Sequence, residues 1–282
     1  MDIDYLRKWV GRSERGFDEI GPTPPAVLAA ALDRQEPRLT DGDPLPLLRH
    51  WLYFPAVTRR SELDPDGHPR RGGFLPPVHL PRRLFAGAKL KFNLPIRIGD
   101  NVERTSRVVD IAEKTGRTGE PLLFVRLRRE YRNQSGMTVV EDHDIVYRDR
   151  PVPGELPASV RLAPGEHDWA DEMQVDPVLL FQYSALTFNQ HRIHYDRTYA
   201  TTEEGYPGLM VHAPLVATLL VDSLRDHLPA RRLQTLEFRA VGPLFDNEPF
   251  LVCGQRRSVG EARLWAQKKD GSLAMDALAT FG

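Results

Sequence analysis

The spacing of apolar residues changes twice along this chain, and each change introduces the same succession of elements. Residues 5–10 and 25–33 predict helices, the second opening on prolines suited to a first helical turn. Residues 41–81 are rich in Pro, Gly and Arg and predict loop, with one apolar island at His50-Trp51-Leu52-Tyr53-Phe54. Residues 89–95, 101–114, 121–133 and 137–147 then read as strands rich in Val, Ile, Leu and Phe. Gly-containing turns separate them, at Lys114-Thr115-Gly116 and Asn133-Gln134-Ser135-Gly136.

Residues 149–166 hold Pro151, Pro153, Pro157 and Pro164 with almost no period-two alternation, the composition of a linker. The order then repeats. Residues 169–175 predict a short strand, 177–186 a helix, and a polar loop leads to an apolar helix over 214–226. Residues 232–239, 249–257, 262–269 and 272–280 predict four more strands. Leu90-Lys91-Phe92 with Asp100 overlays Leu236-Glu237-Phe238 with Asp246, both pairs of features lying 146 residues apart. The expected architecture is a duplicated α+β unit, each copy a helical region plus a long antiparallel sheet: 1–150, a linker over 151–166, and 167–282.

Composition narrows the partners. The 38 Lys+Arg against 39 Asp+Glu leave a net charge of −1, without the basic footprint that nucleic-acid binding needs. No apolar run approaches the ~20 residues of a membrane span, and the charged N-terminus has no apolar signal-peptide region. Cys253 is the single cysteine, so no intrachain disulfide forms and a reducing cytoplasm is expected. The Arg pairs, such as Arg59-Arg60 and Arg70-Arg71, read mostly as solvated surface; a few could grip coenzyme phosphates.

The densest polar constellation is Thr187-Phe188-Asn189-Gln190-His191-Arg192-Ile193-His194-Tyr195-Asp196, at a helix exit. His191 and His194 could share a metal, but no Glu or Cys completes a familiar ligand set, so no metal is expected. The bland alternative is that these histidines cap a helix and bind backbone. A second constellation, Gly205-Tyr206-Pro207-Gly208-Leu209-Met210-Val211-His212-Ala213-Pro214, lies at the mouth of the apolar helix. Unpaired N–H groups there could polarise a thioester carbonyl, or the glycines could simply make turns.

These two stretches resemble the MaoC-like (R)-specific hydratase 2 family, whose motif runs Asp-x-Asn-Pro-x-His-x-Asp and continues to a His-Gly pair opening the central helix. The resemblance places His194 on the catalytic histidine, Asp196 on the second aspartate and His212-Ala213 on the His-Gly pair. It also places Asn189 on the catalytic aspartate, His191 on the asparagine and Arg192 on the proline. The form here is similar to the branch holding mesaconyl-C4-CoA and itaconyl-CoA hydratases and type-2 hydroxyacyl-thioester dehydratases. Met1 to Arg12 in sequence, Arg70-Arg71-Gly72-Gly73-Phe74-Leu75-Pro76-Pro77 and Asp144-Ile145-Val146-Tyr147-Arg148 also resemble that branch.

The resemblance implies a double hotdog and a hydro-lyase adding water to a 2-enoyl-CoA, with coenzyme A part of the substrate and no separate cofactor. It implies His194 as base, Asn189 and His191 as its helpers, and Ala213 with His212 at the thioester carbonyl. Arg192, Arg71 and Tyr195 are the expected substrate contacts, the arginines for the free carboxylate of a C5 dicarboxylic thioester. The first unit, lacking the motif, is expected to be catalytically silent, and a homodimer of the chain is allowed. The alternatives are a fatty-acid 3-hydroxyacyl-thioester dehydratase, a thioesterase, and a non-catalytic acyl-CoA-binding protein.

Overall fold

Strands arrive in the same order in both halves of the computed structural model, which describes residues 2–116, 119–149 and 160–282. Most of the expected linker, residues 150–159, lies outside the described residues. The first half runs α1 (Ile3–Arg7), β1 (Ser13–Glu19), α2 (Thr23–Ala31), β2 (Arg82–Phe92), β3 (Asn101–Thr115), β4 (Pro121–Asn133) and β5 (Gly136–Arg148). The second runs β6 (Trp169–Met173), α3 (Pro177–Thr187), α4 (Ala213–His227), β7 (Leu233–Ala240), β8 (Phe250–Ser258), β9 (Glu261–Lys268) and β10 (Leu273–Phe281).

Among the described residues all ten strands join one antiparallel sheet in the order β1-β3-β4-β5-β2-β7-β10-β9-β8-β6. Counted outward from the centre, both halves give the same succession of equivalent strands. At the centre β2 pairs with β7, and Leu90 stands opposite Leu236. These are the residues that overlay in the repeat, so each leucine faces its own counterpart across a local two-fold axis. Both are fully buried, at 0% and 1% exposure. A fused pair of units thereby hides in one chain the sheet edges that separate units would pair isologously.

The second half is built round α4. Its residues 215–224 are all buried, the mark of an interior helix rather than an amphipathic surface one. It packs on β8 and β9. Its buried Asp222 accepts a 2.7 Å hydrogen bond from Arg49 Nη2, and Ser223 Oγ accepts from Trp169 Nε1 at 3.0 Å. The charge and the hydroxyl are therefore satisfied inside the core.

The first half treats the same place differently. The Leu45 N–H donates to the Ile96 carbonyl as the Val211 N–H donates to that of Leu244, both at 2.8 Å. After Val211 the chain enters α4. After Leu45 it passes Pro46, makes a 3-10 turn over Arg49–Leu52, and continues as loop to β2. Leu48 and Phe54, which flank that turn, have φ of 64° and 59°, backbone that no helix continues through. The double hotdog is thus asymmetric, with the nine-residue α2 as the first half's longest helix.

The strand pattern differs from the sequence expectation in two places, and the first helix runs over Ile3–Arg7 rather than 5–10. β1 leaves no signal in the sequence, because Ser13–Glu19 carries almost no apolar alternation; it is an outer, largely exposed strand on β3. β2 starts at Arg82 rather than near residue 89, since a register shift between Phe85 and Gly87 interrupts the period-two pattern.

Candidate active site

The turn after α3 is closed by its own polar groups. Phe188 takes a left-handed φ of 50° at the helix end, and the Asn189 N–H returns to the Ser184 carbonyl at 2.8 Å. Asn189 Oδ1 accepts the His191 N–H at 3.0 Å, an Asx turn that delivers the chain into the 3-10 turn Arg192–His194. Asp196 then accepts the Tyr199 N–H at 3.0 Å, starting the π turn Tyr199–Glu203.

This folding brings three histidine rings of the second half together. His194 Nδ1 lies 2.7 Å from the Met210 carbonyl oxygen. A carbonyl only accepts, so Nδ1 carries the hydrogen and Nε2 keeps its lone pair. The His212 ring stacks on His194 at 3.7 Å and 18°, and its Nε2 lies 2.9 Å from Ser184 Oγ. His212 is the residue before α4, so the Ala213 N–H beside it has no helical partner. His191 meets the His194 ring edge-on at 5.5 Å and 90°.

A fourth ring comes from the first half. His68 lies 4.0 Å from His191 at 41°, and its Nδ1 is 2.9 Å from Asp66 Oδ2. The loop carrying both residues is pinned to the motif, since the Arg192 N–H donates to the Asp66 carbonyl at 2.9 Å. Gly67, between them, has φ +90°, and a Cβ there would fall 1.9 Å from the Gln190 carbonyl oxygen. Only glycine allows the two loops to meet so closely.

Burial keeps these imidazoles neutral. It brings His194 down to about 4 against the opposing Met210 hydrogen bond. It holds His191 and His212 well below the ordinary range, helped for His191 by the Arg83 charge and by the repulsion a second protonated ring beside it would bring. His68 is lowered by burial and Arg83, with Asp66 pulling the other way. Asp66 resists its own burial and falls to about 2 because His68 and the backbone hydrogen-bond to it. Asp66, His68 and His191 each place one possible ligand atom within 4.8 Å of the others. The Arg83 charge that acts on all three opposes a second cation there.

Asn189, His191, His194, His212 and Ala213 are therefore gathered. The other expected residues stand beside this group with their side chains engaged by the protein, although the Arg71 charge reaches His68. Arg192 spends Nε and Nη2 on Asp196 at 3.0 and 2.8 Å, gives Nη1 to the Pro65 carbonyl, and lies over the Tyr199 ring. Arg71 donates to the carbonyls of Val78, Leu80 and Pro81. Tyr195 is 45% exposed with its hydroxyl on the Gln190 carbonyl. Sequence reasoning missed Asp66, His68, Ser184 and Arg83. The signal for the first two was Asp64-Pro65-Asp66-Gly67-His68, an acid and a histidine flanking a glycine within a long loop.

A buried helix whose N-terminus faces a histidine of fixed tautomer, within a fused pair of hotdog units, defines a thioester hydratase or dehydratase scaffold. Solved structures agree on the fold. A MaoC-like dehydratase from Phytophthora capsici superposes with a TM-score of 0.73 at 14% identity, covering 100% of this chain and 98% of that one. A Mycobacterium tuberculosis protein described as a double hotdog gives 0.60 at 11% identity, covering 96% of each.

The family profile described as hydroxyacyl-thioester dehydratase type 2 matches residues 48–246, and the chain belongs to that family. It is 43% identical over 274 residues to the mesaconyl-C(4)-CoA hydratase of Chloroflexus aurantiacus, covering 97% of both chains. It is 27% identical over 230 residues to the mitochondrial hydroxyacyl-thioester dehydratase type 2 of Schizosaccharomyces pombe, covering 72% of this chain and 75% of that one. The protein is an enzyme of this hydro-lyase class. Among the described residues no helix is long and apolar enough to cross a membrane.

Proposed function

We propose that this enzyme adds water reversibly across a 2-enoyl-CoA, with a C5 dicarboxylic thioester such as mesaconyl-C4-CoA or itaconyl-CoA as substrate and citramalyl-CoA as product. The observation that carries the reaction class is the division of the His194 ring: Nδ1 bonded to the Met210 carbonyl, Nε2 left for the substrate side beside the α4 N-terminus. The near full-length similarity to a mesaconyl-C(4)-CoA hydratase supports the substrate.

His194 Nε2 takes a proton from water as the water oxygen bonds to the β-carbon. The double-bond electrons move toward the thioester carbonyl, whose growing negative charge meets the Ala213 N–H and the positive end of α4, and the α-carbon then takes one proton, so that the net change is one water added. Asn189 cannot act as a base; with Oδ1 engaged by His191, its Nδ2 is left to hold the water. The dehydratase direction uses the same groups in reverse. Water and the thioester suffice, so the reaction calls on no separate cofactor.

Arg83 is the cation we assign to the substrate's free carboxylate. Its charge reaches Asp66, His68, His191 and the Tyr147 hydroxyl, and none of the described ion pairs engages it. Arg192 and Arg71 are already occupied by the protein. A cytoplasmic enzyme, in keeping with the buried free thiol of Cys253, and a homodimer of the chain complete the reading.

The decisive assay follows loss of the enoyl-thioester absorbance with mesaconyl-C4-CoA, itaconyl-CoA, crotonyl-CoA and a medium-chain enoyl-CoA. Turnover of the dicarboxylic thioesters at the highest kcat/KM supports the proposal. Preference for the medium-chain substrate replaces it with the fatty-acid dehydratase, and no turnover of any leaves a binding protein.

A further inference from the structure

The family's motif carries a carboxylate where this chain has Asn189, and the remaining motif acid, Asp196, is bound to Arg192 and the Tyr199 N–H. The carboxylate grouped with the histidines is instead Asp66, from the other half of the chain. We propose that Asp66 and His68 supply the second proton-transfer group of the reaction. His68 gives the proton to the substrate α-carbon in hydration and removes it in dehydration, with Asp66 fixing its ring. The proposal rests on the hydratase reading given above.

Three observations carry it. The 2.9 Å contact of Asp66 Oδ2 with His68 Nδ1 puts the hydrogen on Nδ1 and leaves Nε2 free, the same division that Met210 imposes on His194. The rings run in a row, His68 against His191 at 4.0 Å and His191 against His194 at 5.5 Å, so free nitrogens of fixed tautomer belong to its two ends. The loop is also locked rather than draped: Arg192 donates to the Asp66 carbonyl from its N–H at 2.9 Å and to the Pro65 carbonyl from Nη1 at 3.0 Å, and Gly67 seats on Gln190. This loop belongs to the stretch that replaces the long helix in the first half. What that half lost as a helix it uses to complete the neighbouring site.

The step balances with one proton on the pair. His68 is neutral at rest, so in hydration it first takes one proton from solvent on Nε2, with Nδ1–H still held by the Asp66 carboxylate. Water gives a proton to His194 Nε2 and its oxygen bonds to the β-carbon. The π pair passes through the thioester enolate to the α-carbon, which takes the proton from His68 Nε2. The proton on His194 then returns to solvent, and the net reaction consumes one water.

The test measures dehydration of 3-hydroxybutyryl-CoA and its 2,2-dideuterated form by the wild type, Asp66→Asn and His68→Gln. Both variants should lose about 10²-fold or more in kcat with KM changed less than about threefold. The isotope effect on kcat should rise as α-C–H cleavage becomes limiting, and added imidazole should partly rescue His68→Ala. Retention of kcat within about threefold overturns the proposal, as does a loss with unchanged isotope effect and a fallen thermal midpoint. One equivalent of zinc in the purified enzyme, removed by chelator together with activity, also overturns it, in favour of Asp66, His68 and His191 as metal ligands. A wild type inert toward every enoyl- and hydroxyacyl-CoA sinks the hydratase reading itself; an active wild type with unaffected variants sinks this proposal alone.

Discussion

His194 Nδ1 donates to the Met210 carbonyl oxygen over 2.7 Å, and that bond decides which nitrogen of the ring can take a proton. His194→Ala should therefore lower kcat for hydration by about 10²–10⁴-fold with KM little changed, since the ring acts on water rather than on the thioester. Steady-state kinetics on crotonyl-CoA and mesaconyl-C4-CoA check this. A variant that keeps most of its rate rules out His194 as the base.

Arg83 and Arg192 can be told apart by substrate. Arg83→Ala should raise KM for mesaconyl-C4-CoA by about tenfold or more, the loss of roughly 1.4 kcal/mol of carboxylate binding, and leave crotonyl-CoA nearly unaffected. Arg192→Ala, which cuts bonds to Asp196 and Pro65, should weaken both substrates alike. The reverse pattern would return the carboxylate to Arg192.

Gly67→Ala puts a methyl group 1.9 Å from the Gln190 carbonyl oxygen at a left-handed φ. The loops must part, at a backbone cost of about 1–3 kcal/mol before any displacement of His68. Thermal unfolding should show a fall of about 2–4 °C for each kcal/mol, with activity lost as well. An unchanged midpoint would mean that the 65–68 loop is not seated on the motif.

The buried bond between Arg49 Nη2 and Asp222, 2.7 Å long, ties the first half's 3-10 turn to α4. Arg49→Ala leaves a buried carboxylate with weaker partners, Arg34 and Arg225 at about 4 Å. A loss of about 3 kcal/mol in denaturant unfolding is expected, and less for Arg49→Met combined with Asp222→Leu. Equal losses for the single and double changes would contradict this.

Stability should fall on acidification before the carboxylates matter. His194 has a folded-state value of about 4 against 6.5 when free, so the unfolded chain binds the proton first. Its contribution is complete above pH 6.5 and declines as pH drops toward 4, on the order of 3 kcal/mol when fully lost. His191 and His212, lowered by burial, act in the same direction. Asp66, at about 2 against 3.8, loses its contribution only below pH 3.8. Urea midpoints at pH 7.5 and 5 should differ accordingly; equal midpoints would show that the rings are solvated.

The amino-acid pattern alone determined the strands β3 to β5 and β7 to β10, the helices and the duplication, because apolar periodicity and turn residues are local. It also determined the second-half cluster: His191, His194, His212 and Ala213 fall within 23 residues on either side of one loop, and the turn at Asn189 is closed by near neighbours. Only the tertiary structure decided which arginines were free. Arg192 and Arg71 look like ligands for an anion until their bonds to Asp196 and to three backbone carbonyls are drawn. Only the tertiary structure, likewise, brought Asp66 and His68 to His191 across more than a hundred residues of chain. The contact depends on where the loop predicted over 41–81 lands and on a glycine small enough to let two backbones touch, and neither the landing point nor the close approach leaves a periodic trace in the sequence.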